Sequence, residues 1–325
     1  MKVAHMVVVT PQRCGLYETT RELVKGLRLL GVDSRMVEPL PDNPIGWKGE
    51  SDRGVPVSNL KWAAKADIIV SHSGVRGFED KPIIQMAHGR PRHSFITERD
   101  GNSAVYTHHY NVNNLPQYKA VVTLWHQHKR YLEVLYTNKP VHLIPPPVDL
   151  EYYIPGEGVY DFTGKGGDIN IVITDTDRAD VDSFVCLHAY ALWARENSNL
   201  NPKLHFFNKP NNLKGLEPVI RTIQNDGHMG MLVGWVKGLQ HVYRSADLTL
   251  TGHEINVRTV RESMACGCPV VKMTKLNPGW ITDGLKQNRK LVRFMAKKQF
   301  DPARSAKALK EIMILSLLEL EQCQQ

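Results

Sequence analysis

Two successive series of short apolar runs, interleaved with segments of helical period, constrain this chain more than any other feature. The first run, Val3–Thr10, reads as a buried strand. A turn at Pro11–Gly15 follows, then a helix with Leu23, Val24, Leu27 and Leu30 on one face and Gly31 as its stop. Val32–Glu38, Asp67–His72, Pro82–Ala87, Ala120–Leu124 and Val141–Ile144 continue the series, which the proline run Pro145–Pro147 ends. The second series comprises Ile169–Thr174, Lys203–Phe207, Met231–Gly234, Leu248–Thr251 and Pro269–Met273, with a helix near Ser183–Glu196. This alternation is that of a parallel sheet with crossover helices, met twice. At 325 residues the chain has room for two such domains. The boundaries predicted are 1–155 for the first, 156–168 for a glycine-rich linker and 169–300 for the second. The last segment, 301–325, is a helix that can pack back on the first domain.

Composition narrows the function classes. No run of about 18 apolar residues exists, so no transmembrane segment is expected. The N-terminus enters a strand pattern directly rather than a signal peptide. The five cysteines, at 14, 186, 266, 268 and 323, are odd in number and scattered, which points to a reducing, cytoplasmic setting. The net charge of +8 favours anionic partners: nucleotide phosphates, duplex DNA or an anionic membrane surface. Its densest part is Leu285–Phe300, where Lys286, Arg289, Lys290, Arg293, Lys297 and Lys298 meet no acid. As a charge run it reads first as a solvated surface.

Open α/β sheets bind ligands at the carboxyl ends of their strands. A nicotinamide dehydrogenase needs G-x-G-x-x-G after its first strand, and here that turn contains only Gly15, although Glu38 ends the second strand. No G-x-x-x-x-G-K-[ST] phosphate loop occurs. Cys266-x-Cys268 has no second Cys/His pair at metal-site spacing and reads as small residues packing a turn. His126 and His128, with His108 and His109, lack an obvious acid partner for a metal.

The informative segment is Gly252–Val271, GHEINVRTVRESMACGCPVV. A strand gives way to a loop bearing Glu254, and a helix is predicted to begin near Val257 with Glu262 one to two turns inside it. A helix N-terminus offers unpaired N–H groups and partial positive charge to a diphosphate. A carboxylate before it can meet sugar hydroxyls, and one inside it can hold a ribose diol.

This arrangement resembles the E-x7-E motif of retaining GT-B glycosyltransferases, the group 1 or family 4-like type, and SMACGCPVV is similar to that family's EAMACGxPVV. Ile144–Pro155 is similar to its IPNGVDxxxFxP, and the stretch from Val233 to Glu254 to its GxV…LYxxADV…PSxxE. Gln85–Pro91, QMAHGRP, is similar to its fourth-strand HG signature. The resemblance implies an α/β, GT-B architecture, two Rossmann-like domains facing across a cleft. It implies transfer of a hexose or pentose from a nucleoside-diphosphate sugar as co-substrate, with retention, no cofactor and no metal ion. Glu254 would contact the donor sugar, Glu262 the ribose, the backbone of Asn256, Val257, Arg258 and Thr259 the diphosphate, and Gly234 and Val236 the base. His88 would face the donor sugar or acceptor, and Gly15 joins the donor-site residues.

Two departures stand out. Ile255, Asn256 and Val257 replace the family's Gly-Phe-Gly. Arg178 can supply the family's arginine, but no lysine follows five residues on, leaving Lys209 or Arg258 as substitutes. The acceptor stays open among saccharides, lipid-linked glycans and small molecules. The charge, with the basic loop His88–His93, keeps a modified base in duplex DNA as an alternative, as for viral enzymes of this fold. A catalytically silent nucleotide-sugar-binding protein is the third reading.

Overall fold

The computed structural model describes residues 1–7, 15–37, 55–72, 78, 80–88, 103–162, 164–174, 183–207, 215–234, 236 and 238–323. The chain divides into two compact units, Met1–Pro147 with Phe300–Gln325, and Val148–Gln299.

In the first unit, the strands are β1 (Lys2–Met6), β2 (Asp33–Val37), β3 (Val57–Ser58), β4 (Ile68–Ser71), β5 (Ile83–Ala87), β6 (Tyr118–Thr123) and β7 (Val141–Leu143). Among the described residues they form one parallel sheet in the order β3-β2-β1-β4-β5-β6-β7. Every residue of β4, and all of β1 after Lys2, is buried, as expected of parallel strands covered on both faces. The helices are α1 (Gly15–Leu29), α2 (Leu60–Ala63), α3 (Ser103–Asn114), α4 (His126–Leu135) and, from the chain's far end, α11 (Pro302–Cys323).

Helix α1 differs in detail from the apolar stripe predicted for it. Leu23, Val24 and Leu27 are buried, but Leu30 lies beyond the helix and is 36% exposed. Its N-terminal half buries charge instead. Arg21 contacts Glu18 at 2.6 Å and Glu22 at 2.9 Å, with all three side chains enclosed. The two-residue edge strand β3 is too short to carry any periodicity in sequence.

Helix α11 packs on α1, and Gly26 is the reason the two come so close. A Cβ at that position would lie 2.6 Å from the Ala306 Cβ and 3.0 Å from the Pro302 carbonyl oxygen. Lys310 Nζ donates to the Leu30 carbonyl, and Ser305 Oγ to that of Pro145, tying the helix down at both ends of the contact.

In the second unit, β8 (Ile169–Ile173), β9 (Pro202–Phe206), β10 (Met229–Leu232), β11 (Leu248–Thr251) and β12 (Val270–Lys272) form a parallel sheet in the order β10-β9-β8-β11-β12. The helices, in chain order, are α5 (Ser183–Glu196), α6 (Glu217–Asn225), α7 (Leu239–Ser245), α8 (Arg258–Ala265), α9 (Gly279–Leu285) and α10 (Arg289–Gln299). The core joins Leu187, Tyr190 and Trp193 of α5 to Ile171, Leu204, Phe206, Leu248 and Leu250 of the sheet. Among the described residues no helix is long and apolar enough to cross a membrane.

Replacing Gly26 by leucine is expected to destabilise the first unit by about 2 kcal/mol, because neither Ala306 nor the Pro302 carbonyl has room to retreat. Urea unfolding followed by tryptophan fluorescence would detect it as a lowered midpoint.

Candidate functional site

The second unit places Glu254, Asn256, Val257, Arg258, Thr259 and Glu262 in succession after the carboxyl end of β11. All four β11 residues are buried between β8 and β12, so the strand presents its chemistry only where it ends. The loop from Gly252 leads into α8, whose N-cap is Val257. Ile255 and Val257 are buried and Glu254 is exposed, so the loop that lacks the family's glycines is pinned by two apolar anchors. The Val257 N–H donates to the Ile255 carbonyl at 2.9 Å, a three-residue turn about Asn256. That N–H is therefore committed, and the first-turn amides of Arg258 and Thr259 remain for an anion. Lys272, at the end of β12, donates to the Glu254 carbonyl at 3.1 Å, and burial lowers its pKa.

Glu262 lies on the second turn of α8, 1% exposed. Its Oε1 accepts from Arg258 Nε at 2.5 Å, while Oε2 is buried with no hydrogen-bond partner among the described residues. Arg258 is the outer member, its side chain 26% exposed. The pair runs against the helix: a cation in the first turn is opposed by the helix dipole by about 0.3–1 kcal/mol, and the acid-first order is the favoured one. No acidic residue sits in the first turn and no side chain caps it. Tyr243, on α7, donates its hydroxyl to Thr174 Oγ1 at 3.3 Å beside this pair, and burial with the Glu262 charge holds its pKa well above the usual value.

Gly234 and Val236 follow β10, at the sheet's edge, and a Cβ at Gly234 would meet open space. Arg178 and Lys209 lie outside the described residues, as do Arg90–His93 of the basic loop.

The turn after α8 is held by other means. Gly267 has φ +78°, and the Cys268 N–H reaches the Ser263 carbonyl at 3.0 Å, closing the helix in a left-handed cap. Cys266 and Cys268 are buried, and burial pushes the Cys266 thiol up to about 12. The basic run is partly structural. Arg289 donates to the carbonyls of Ala246, Tyr243 and Arg244, and Arg293 to those of Tyr153, Ala265 and Leu150. Lys286, Lys290, Lys297 and Lys298 are exposed.

In the first unit, His88 follows β5 and is the last link of a chain of imidazoles that sequence reasoning missed. His5 Nδ1 lies 3.0 Å from His72 Nε2, and His72 Nδ1 lies 2.7 Å from His88 Nε2. Thr20 donates its hydroxyl to the Leu16 carbonyl at 2.8 Å, so its oxygen accepts from His72 Nδ1 at 3.0 Å. Assigned from this network, His72 carries its proton on Nδ1, His5 donates from Nδ1, and His88 accepts at Nε2 and is protonated at Nδ1. His5 Nε2 is buried without a partner among the described residues. Burial lowers the His5 pKa to about 3, and burial with the neighbouring rings holds His72 well below its usual value. Gly15 begins α1, half-buried. His109 Nδ1 contacts the Tyr136 hydroxyl at 2.5 Å, and among the described residues no group of three or more His, Cys, Asp or Glu could hold a metal ion.

No protein-family model and no curated protein matches this chain in sequence. Solved structures do match it in fold. Anabaena Alr3699/HepE in complex with UDP superposes with a TM-score of 0.70 at 10% identity, over 96% of this chain and 99% of that one. Trehalose-6-phosphate synthase OtsA gives 0.63 at 8% identity, over 98% and 99%. WaaG, a glycosyltransferase of lipopolysaccharide biosynthesis, gives 0.60 at 13%, over 94% and 93%. The chain has the GT-B fold: two Rossmann-like bodies, each built on a parallel sheet.

The histidine chain makes stability pH-dependent with a definite sign. The folded pKa values of His5 and His72 are lowered, so the unfolded chain binds more protons below about 6.5 and stability falls as pH drops from there towards 3. The slope expected is about 1.4 kcal/mol per pH unit for each neutral-held imidazole. Thermal unfolding at pH 7 and pH 5 should reveal it, and His5→Asn should flatten the slope.

Proposed function

We propose that this protein is a retaining glycosyltransferase that moves a sugar from a nucleoside-diphosphate sugar to an acceptor hydroxyl of a saccharide, lipid-linked or small-molecule substrate, without a metal ion. The observation that carries this reading is Glu262, a buried carboxylate with one oxygen unpartnered among the described residues, inside a helix whose uncapped first turn follows exposed Glu254. Acid, amides, acid is the order a sugar, diphosphate and ribose require. The fold supports it, since the similar HepE structures are complexes with UDP, UDP-glucose, and UDP and glucose.

In this mechanism the bond between the anomeric carbon and the phosphate oxygen breaks, its electron pair leaving with the nucleoside diphosphate. The main demand is stabilisation of that developing charge. The Arg258 and Thr259 amides, the Arg258 guanidinium, Arg178 and Lys209 are assigned to it. Glu254 steadies the sugar, and Gly234 and Val236 border the base. The acceptor oxygen bonds to the same face of the anomeric carbon, and the departing phosphate takes its proton. His88, neutral and protonated at Nδ1, donates to a sugar or acceptor hydroxyl.

A thermal-shift panel of UDP-, GDP-, ADP- and TDP-sugars tests the donor class, because a ligand that binds the folded state raises its melting temperature. Glu262→Gln is expected to weaken nucleoside-diphosphate binding about tenfold. Glu254→Gln should slow transfer by roughly a hundredfold with donor binding retained, and His88→Ala should also slow it. The anomeric configuration of the product, read by proton NMR, decides retention. A protein that released no nucleoside diphosphate with any donor would be a binding module instead.

A further inference from the structure

Arg258 occupies a position that helix electrostatics does not explain. It is the first residue of α8, where the dipole and the first-turn amides already present positive charge, and its counter-charge, Glu262, is four residues further along. A helix built for stability would reverse that order. Glu262 is sealed, and Arg258 is the more exposed partner that covers one of its two oxygens. The other oxygen is buried without a hydrogen-bond partner among the described residues, an acceptor left for an incoming donor. A ribose diol brings two such donors, and Arg258 competes with one of them for Oε1.

We infer that Arg258 is exchanged between two anions: without nucleotide it closes over Glu262, and on binding it passes to the diphosphate as the ribose hydroxyls take both carboxylate oxygens. The inference rests on the donor site proposed above and deepens it. Each anion keeps a partner throughout, so no buried charge is left bare during entry. The diphosphate is what draws Arg258 away, so a nucleoside without phosphates must displace it unaided. The exchange therefore discriminates against nucleosides in favour of their diphosphates. It also supplies, one turn from the ribose acid, a cation of the kind that the absent lysine would provide.

The test separates the two halves of the exchange, because they respond with opposite sign. Uridine and UDP, or the nucleoside and diphosphate of whichever base the panel selects, are titrated calorimetrically into the unaltered protein, Arg258→Met and Arg258→Lys. In Arg258→Met, nucleoside affinity is expected to rise severalfold, and diphosphate affinity to fall about tenfold or more. The 2′-deoxynucleoside should gain nothing, since the diol is incomplete. Arg258→Lys keeps a charge but loses the fork on Glu262, so the nucleoside gain should persist with a smaller diphosphate loss; it carries the test if Arg258→Met does not fold. Both affinities moving together, or neither moving, would overturn the exchange while leaving the donor site standing. If the unaltered protein binds no nucleoside diphosphate, the donor site and the exchange both fall.

Discussion

A parallel strand buried on both faces has committed its backbone to its neighbours and its side chains to the core, and everything else here follows from that constraint. β11 is such a strand, flanked by β8 and β12 and wholly enclosed. Chemistry is available only where the ladder stops, and there the chain turns directly into α8. The loop between them is short and its Ile255 and Val257 face inward, so Glu254, the α8 amides and Glu262 are delivered in a fixed order. The first unit repeats the logic: His72 follows β4 and His88 follows β5, neighbours in the sheet, so adjacent strand ends set two imidazoles within hydrogen-bond reach.

Much of this was legible in the sequence, and the reason is specific. Helix Ser183–Glu196 and strand Leu248–Thr251 have the bounds their patterns predict, because long periodic and bounded apolar segments leave little freedom. The placement of Glu254 before a helix and of Glu262 inside it was readable from the sequence. What spacing could not convey is which side of a charge is covered. Arg258 and Glu262 each stood out alone, yet their pairing, and the unpartnered oxygen, depend on burial. The His5–His72–His88 chain was hidden for a related reason: its members are 67 and 16 residues apart, and only the sheet order joins them. In α1, Glu18, Arg21 and Glu22 imitate a solvated surface, yet all three are buried, the two carboxylates sharing the one guanidinium.

The basic run Leu285–Phe300 teaches the converse. Counted as charge it suggested a surface for anions, yet Arg289 and Arg293 each reach several backbone carbonyls of the surrounding segments. Those carbonyls belong to the ends of α7 and α8 and to the segment after the proline run, places where a backbone ladder has ended and acceptors are left over. Arginine, with five donors in a planar fork, suits such a task better than lysine. The two arginines fasten the turns that lead into β11 and β12 at the amino end of the sheet, the edge opposite the start of α8, while the lysines of the same run stay exposed.

The contact of α11 with Gly26 has a temporal side. The first unit is discontinuous, begun by the first 147 residues and finished by those after 299. During synthesis its sheet emerges early, but the helix that covers α1 follows only after the whole of the second unit. The second unit is continuous and can close as soon as it leaves the ribosome. The order of completion is thus the reverse of the order of translation, and the growing chain must carry the Gly26 side of α1 uncovered until the second unit has been made.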